Sequence, residues 1–197
     1  MSKVLFFAGP NGSGKSTITS GIKIFGDYIN ADEIEKELKC SSLDAAIIAE
    51  KTRYVFLEDN LDFTFETVLS TSRNIELLQK AKEKGYYVVG IYVVTINPAI
   101  NLRRIKYRVS QGGHNVPEEK VVTRYLRAMR LIPQLFQICD ELYFFDNSAE
   151  KETTENNLII ESTNGKIQGY PNRIWTMEMI KSLISGRYPD DYLNNPE

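Results

Sequence analysis

The sequence predicts an α/β domain with a mainly parallel sheet, and three observations carry that prediction. Five short apolar runs rich in β-formers alternate with stretches of helical spacing, as when each strand is followed by a crossover helix. A glycine-rich pattern of the kind that wraps phosphate lies between the first run and the first helix. The composition, 42% apolar and 25% charged over 197 residues, suits one folded domain and disfavours disorder, a collagen-like chain or a disulfide scaffold.

Val4-Leu5-Phe6-Phe7-Ala8, bounded by Gly9-Pro10, is a continuous apolar run and reads as a central strand buried on both faces. Ser16 to Lys23 reads as a helix and Tyr28-Ile29-Asn30 as the second strand. Helix-favouring stretches follow from Asp32 to Lys39 and from Leu43 to Asp59, the latter with Ala45, Ile48, Thr52, Val55 and Phe56 at helical spacing. Phe63-Thr64-Phe65 is the third strand. Asn74 to Lys84 is amphipathic, with Ile75, Leu78 and Ala81 on one side and Gly85 as its left-handed cap. Tyr87 to Thr95 is the longest strand. Pro98 to Ser110 reads as a helix with proline in its first turn, Gln111 to Val116 as a glycine-containing loop, and Pro117 to Arg130 as a helix with Glu118 and Glu119 near its positive end. Leu142 to Phe145 closes the series.

After Asp146 the chain turns polar, from Lys151 to Asn157, before Leu158-Ile159-Ile160 and a turn at Asn164-Gly165 that together read as a hairpin. Trp175 to Ile184 is the last helix, and Tyr188 to Glu197 an end free to fray. One domain is expected over residues 1–150, with 151–197 a hairpin and helix appended to it.

With 24 basic and 26 acidic side chains the formal net charge is −2, so there is no strong nucleic-acid signal and any basic site must be local. Cys40 and Cys139 are far apart and in no metal-ligand or redox spacing, which reads as two free thiols in a reducing compartment. The apolar run from Val4 to Ala8 is too short for a signal-peptide core, and no stretch approaches a membrane span. A cytoplasmic location without membrane attachment is the expectation.

Gly9-Pro10-Asn11-Gly12-Ser13-Gly14-Lys15-Ser16 satisfies G-x-x-x-x-G-K-[ST] in its required context, after a buried strand and before a helix. The glycines let backbone N–H groups turn inward around phosphate oxygens, and the helix adds its positive end. Lys15 would reach the β- and γ-phosphates and Ser16 would ligate Mg²⁺. These residues together with Thr17 are the candidate nucleotide site, with ATP and Mg²⁺ as cofactors. Ligands of open α/β sheets bind beyond the carboxyl ends of the strands, and two carboxylates fall there: Asp32 after the second strand and Glu66, followed by Thr67, after the third. Asp32 could instead cap the helix that follows, and Glu66 could be a solvated strand-end charge.

In the ordered set AGPNGSGKST (Ala8 to Thr17), NADEI (Asn30 to Ile34), FETVLS (Phe65 to Ser70), RVSQGGHNVPEEKVVTRY (Arg108 to Tyr125) and YFFDNS (Tyr143 to Ser148), the sequence resembles the zeta toxin family of P-loop kinases, in its shorter stand-alone branch. The resemblance implies a three-layer P-loop kinase-like fold with a five-stranded, mainly parallel sheet in the order 2-3-1-4-5. It implies an ATP-dependent kinase in which Asp32 is the base toward a sugar hydroxyl, Glu66 and Thr67 bind the acceptor or support the Mg²⁺ shell, and Arg108 and Arg124 clamp the transferring phosphoryl. The acceptor it implies is the 3′-hydroxyl of the amino sugar of UDP-N-acetylglucosamine, and the partner an antitoxin protein.

The residues themselves add that Arg104 and Arg108 share a helix face at i, i+4, and that Gly112-Gly113 forms a hinge before the helix with Arg124 and Arg127. Arg104 and Arg127 read as decoration of exposed faces, and His114 as a turn or packing residue. Asp146-Asn147-Ser148 falls where P-loop kinases place loop residues beside the base, and Arg103 could stack on it. The larger toxins' longer substrate region has no counterpart here, so uracil and diphosphate contacts are unassigned. Two other readings stay open: a kinase of an antibiotic, nucleoside or nucleic-acid end, and a nucleotide switch or motor ATPase. The latter would ordinarily show a strand ending in a Walker-B carboxylate pair, and none is evident.

Overall fold

The structure is a computed structural model, and it describes residues 1–112, 116–149 and 157–187. The expectations for Gly113 and His114, for residues 151–156 and for the end from Tyr188 lie outside the described residues.

The first strand, β1 (Lys3–Ala8), runs into α1 (Lys15–Thr19), β2 (Asp27–Ile29), α2 (Ala31–Leu38), α3 (Ser42–Glu58) and β3 (Phe63–Thr67). Then come α4 (Arg73–Glu83), β4 (Tyr87–Val94), α5 (Pro98–Ser110), α6 (Glu118–Ile138) and β5 (Glu141–Asp146). A hairpin, β6 (Leu158–Thr163) and β7 (Lys166–Gly169), and α7 (Met177–Ser185) complete it. The strands form one sheet in the order β2-β3-β1-β4-β5-β6-β7. The first five are parallel, in the order expected, and β6 and β7 are antiparallel.

The sheet therefore has seven strands where five were expected. The hairpin does not hang off the domain: β6 pairs with β5 from Glu141↔Thr163 to Phe145↔Leu158. Its turn was legible, since Asn164 and Gly165 both have positive φ, at 50° and 77°. What the local pattern could not say is which edge it would cover. Two helices also differ from their expected lengths. α1 ends at Thr19 instead of Lys23, where Ser20 turns its hydroxyl back to the Thr17 carbonyl and Gly21 follows. α6 runs on through Pro133 to Ile138. The proline removes one backbone hydrogen bond, but Met129, Ile132, Leu135 and Ile138 stay buried along one face and hold the helix in register.

Alternation along β1 sends Val4, Phe6 and Ala8 to one face of the sheet and Leu5 and Phe7 to the other. The first face packs with Phe63, Phe65, Leu142 and Phe144 under residues of α3, α4, α6 and α7, and includes Ile159 and Ile160 of the hairpin. Each fully buried Phe or Leu there contributes about 1.5–3 kcal/mol by leaving water. The parallel register places Phe7 opposite Glu66 and Ala8 opposite Thr67, so the β3 end stands beside the start of the loop after β1. Gly90, in the middle of β4, admits the Phe6 ring: a Cβ there would lie 2.4 Å from Phe6 Cζ and 2.7 Å from Leu142 Cδ1. Gly90→Ala is accordingly expected to lower stability by about 1–3 kcal/mol in denaturant unfolding through overpacking. An unchanged midpoint would show that the ring moves aside without cost.

Candidate active site

The loop from Gly9 to Gly14 is shaped by backbone conformations that favour glycine. Gly9 has φ 145°, and a Cβ on it would stand 2.2 Å from the Val93 carbonyl oxygen. Gly14 has φ 84° and begins α1 without any side-chain cap, which leaves the first N–H groups of the helix to a ligand. Its missing Cβ makes room for the Asn147 amide, which donates to the Ser13 carbonyl at 2.8 Å. Ser13 is wholly buried, and its hydroxyl has no partner.

Lys15 folds back into this cradle. Its ammonium donates to the Gly9 carbonyl at 2.9 Å and to the Pro10 carbonyl at 3.4 Å, and lies 3.6 Å from Glu66 Oε1. Burial lowers its pKa, an effect opposed by the Glu66 and Asp32 carboxylates and reinforced by the Arg108 charge. Glu66 on β3 thus lies against the buried ammonium, and the charges of Asp32 on α2 and Arg108 on α5 also act on it. Ser16 and Thr17 follow at the exposed start of α1.

On the acceptor side, Asn30 caps α2 by accepting from the Asp32 N–H at 2.8 Å. The carboxylate of Asp32 is therefore not the cap, which removes one of its two readings, and it is exposed in the first turn of α2. Tyr28 donates its hydroxyl to Glu66 Oε2 at 3.1 Å and accepts from Asn30 Nδ2 at 3.2 Å, so Glu66 is a held group and not a loose strand-end charge. Burial and the Glu66 charge push the Tyr28 phenol up to about 12, keeping it a donor. Thr67 accepts from the Leu69 N–H at 2.9 Å and from Asn74 Nδ2 at 2.7 Å, which leaves its own hydroxyl proton to donate.

From the other side Arg124 on α6 reaches Asn11 Oδ1 with Nη1 at 3.5 Å. Arg108 is exposed near the end of α5, and Arg127 is exposed on α6. Arg104 differs from its expected role on an open face: it is half-buried and donates to the Ala149 carbonyl at 2.9 Å. Asp146, Asn147 and Ser148 turn out to bolt the loop after β5 to its surroundings. Ser148 donates to Asp146 Oδ1 and accepts from the Ile96 N–H at 2.8 Å, while Asn147 holds Ser13.

Residues 25–173 match the family described as Zeta toxin. The chain belongs to the zeta toxin family. It is thus a P-loop kinase of that family, with a mostly parallel α/β sheet. Over 129 residues it is 35% identical to an uncharacterized protein of Haemophilus influenzae, matching 62% of this chain and 92% of that one. The structure of an AvrRxo1-ORF1:AvrRxo1-ORF2 complex with ATP shares the fold at TM-score 0.69 and 12% identity, over 96% of this chain but 65% of the other. One from the PezAT chromosomal toxin–antitoxin system of Streptococcus pneumoniae does so at TM-score 0.55 and 16% identity, over 98% of this chain and 82% of that one.

Sequence reasoning missed the residues that hold the zeta toxin site in place. Asn30 was visible, because an Asx just before a helix-favouring run is the usual cap, but the neighbouring Asp32 competed for the role. Tyr28 carries no local signal for its bond to Glu66, which lies 38 positions away in sequence. Gly14→Ala tests the tight fit of the cradle, because it puts a Cβ 2.1 Å from Asn147 Nδ2 at positive φ. The left-handed strain of about 1–2 kcal/mol and the lost Asn147 bond of about 1 kcal/mol should appear together in denaturant unfolding. Stability equal to wild type would mean the loop relaxes freely.

Proposed function

We propose that the chain transfers the γ-phosphoryl group of ATP to a hydroxyl of a small molecule, with the amino-sugar 3′-hydroxyl of UDP-N-acetylglucosamine as the acceptor. The observation that carries the reading is the buried Lys15 ammonium inside a glycine cradle, with Glu66 at 3.6 Å and the Asp32 charge in reach. A phosphate entering that cradle takes over the ammonium now held by the Gly9 and Pro10 carbonyls, and meets the uncapped N–H groups of α1. Arg108 on α5 and Arg124 on α6 approach from the two helices that form the lid of this site, where cations stabilise charge that grows as the phosphoryl moves.

The Ser16 hydroxyl, at the exposed start of α1 beside the loop, is an oxygen donor that suits Mg²⁺, which keeps several waters and takes few protein ligands. Bound there beside Ser16, Mg²⁺ supplies neutralisation of the phosphate oxygens. Asp32, free of the capping duty that Asn30 performs, accepts the proton of the acceptor hydroxyl. Glu66, oriented by Tyr28, and the Thr67 hydroxyl bind the acceptor. The AvrRxo1 structure pairs ORF1 with ORF2 and the PezAT structure comes from a toxin–antitoxin system, which supports an antitoxin protein as the partner of this chain.

Asp32→Asn is the deciding variant. It should leave ATP affinity unchanged and lower acceptor phosphorylation by about 10²–10⁴-fold, the usual contribution of a positioned base. Mass spectrometry of phosphate transfer, with UDP-N-acetylglucosamine tried first and nucleosides, antibiotics and nucleic-acid ends next, reads both rate and acceptor. Full activity on every accepted substrate would sink the base assignment. In the same assay Arg108→Ala and Arg124→Ala should each reduce kcat, by as much as about 10³-fold for a cation acting on the transition state, with a smaller change in the KM for ATP. A change confined to KM would make them ground-state phosphate binders.

A further inference from the structure

A buried polar chain links the lid to the tip of the phosphate loop. Asn101, wholly buried in the first turn of α5, donates from Nδ2 to the Asn11 carbonyl at 2.8 Å and accepts at Oδ1 from the Thr95 hydroxyl. Thr95, also wholly buried just after β4, accepts at its carbonyl from the Tyr125 hydroxyl at 2.6 Å. Tyr125 lies on α6 directly after Arg124, which reaches the Asn11 side chain at 3.5 Å. Asn11 is therefore held twice, at its backbone through Asn101, Thr95 and Tyr125, and at its side chain through Arg124. Both routes end at consecutive residues of α6.

The residue types fit this linkage and nothing simpler. An amide at position 101 both donates to a carbonyl and accepts from a hydroxyl, whereas a carboxylate could only accept and an aliphatic side chain could do neither. The loop tip also seats closely on α5, since a Cβ at Gly12 would stand 2.6 Å from the Asn101 carbonyl oxygen. Tyr125 needs no hydroxyl to fill its place in the core, and burial pushes its pKa upward, so the phenol stays a donor to Thr95.

We propose that Asn101 is a positioning residue that, with Thr95 and Tyr125, ties α6 and its Arg124 to the phosphate loop, so that the lid responds to nucleotide bound in that loop. The proposal rests on the nucleotide-binding part of the function proposed above and not on the identity of the acceptor. None of the three side chains needs to touch phosphate. A γ-phosphate offers Arg124 a charged acceptor in place of the neutral Asn11 amide oxygen, and a charge-assisted bond is the stronger one. The Asn101 bond meanwhile holds the Asn11 backbone in place, so that the movement of Arg124 is transmitted along α6 and not lost in the loop.

Amide hydrogen exchange of α6, with and without ATP and Mg²⁺, reads the linkage without any acceptor. In the wild-type chain ATP should slow exchange in the first half of α6 by about tenfold or more. Thr95→Val removes the hydroxyl at constant shape, and Tyr125→Phe keeps the ring while losing its bond. In both variants the ATP dissociation constant should change by less than about threefold while the slowing of α6 falls below about threefold. Thr95→Ser, which keeps the hydroxyl, should restore the wild-type response. An equal response in all four proteins, or lowered thermal stability with the response intact, overturns the proposal and leaves these residues as core structure. Failure of the wild-type chain to bind ATP overturns it together with the kinase reading. A normal exchange response with no transfer to any acceptor would remove the kinase reading alone.

Discussion

A lysine ammonium buried at the end of the central strand is the constraint around which the rest of the site is arranged. A charge taken out of water costs several kcal/mol unless it is hydrogen-bonded and balanced. The Gly9 and Pro10 carbonyls and the Glu66 carboxylate answer that need for Lys15, and desolvation still pulls its pKa down. The same requirement explains why Glu66 is itself restrained, by a phenol kept protonated and donating. A balancing carboxylate left mobile would leave the ammonium uncompensated part of the time. Under the function proposed above, phosphate oxygens would take over from these lysine partners, because they match both the charge of Lys15 and the inward-facing N–H groups.

Backbone register makes that arrangement reproducible. Pairing Phe7 with Glu66 and Ala8 with Thr67 leaves no freedom for the β3 end to slide past the loop, because a slip of one residue would turn Phe63 and Phe65 out of the core. The stacking of Phe6, Phe65 and Phe63, with centroids 6.0 and 6.1 Å apart, fixes the same register from beneath. Site geometry is thus set by the core, which brings the strand ends close enough for the Lys15 and Glu66 side chains to meet.

Much of this was legible in the sequence because it is local. The phosphate loop, and Asp32 and Glu66 after their strands, follow from patterns within a few residues, whereas the order of the five parallel strands came from the family resemblance. The parts that were not legible depend on contacts across long sequence distances. Asn101 meets Asn11 ninety positions away, Tyr125 meets Thr95 thirty away, and Asn147 meets Ser13 at a separation of 134. An asparagine in a helix or a tyrosine in an amphipathic run carries no mark of such a partner. The continuation of α6 through Pro133 was hidden for the same reason, since the local penalty of proline was visible and the buried face that outweighs it was not.

The hairpin that closes the chain bears on the site through β5. Without β6, the edge of β5 would present open N–H and C=O groups beyond the parallel sheet. With β6 in place the strand is bonded on both sides, to β4 and to β6, as far as Phe145. The bonding continues into the loop, where the Asp146 N–H donates to the Asn157 carbonyl at 2.7 Å and the Asn147 N–H to the Val94 carbonyl at 2.8 Å. Asn147 is the residue that grips Ser13 in the space left by Gly14. A side chain can hold the phosphate loop still only if its own backbone is held, so the two antiparallel strands stiffen the cradle from a distance. Residues 157–163 therefore help to hold the glycine-rich loop, although none of them carries a phosphate-binding pattern.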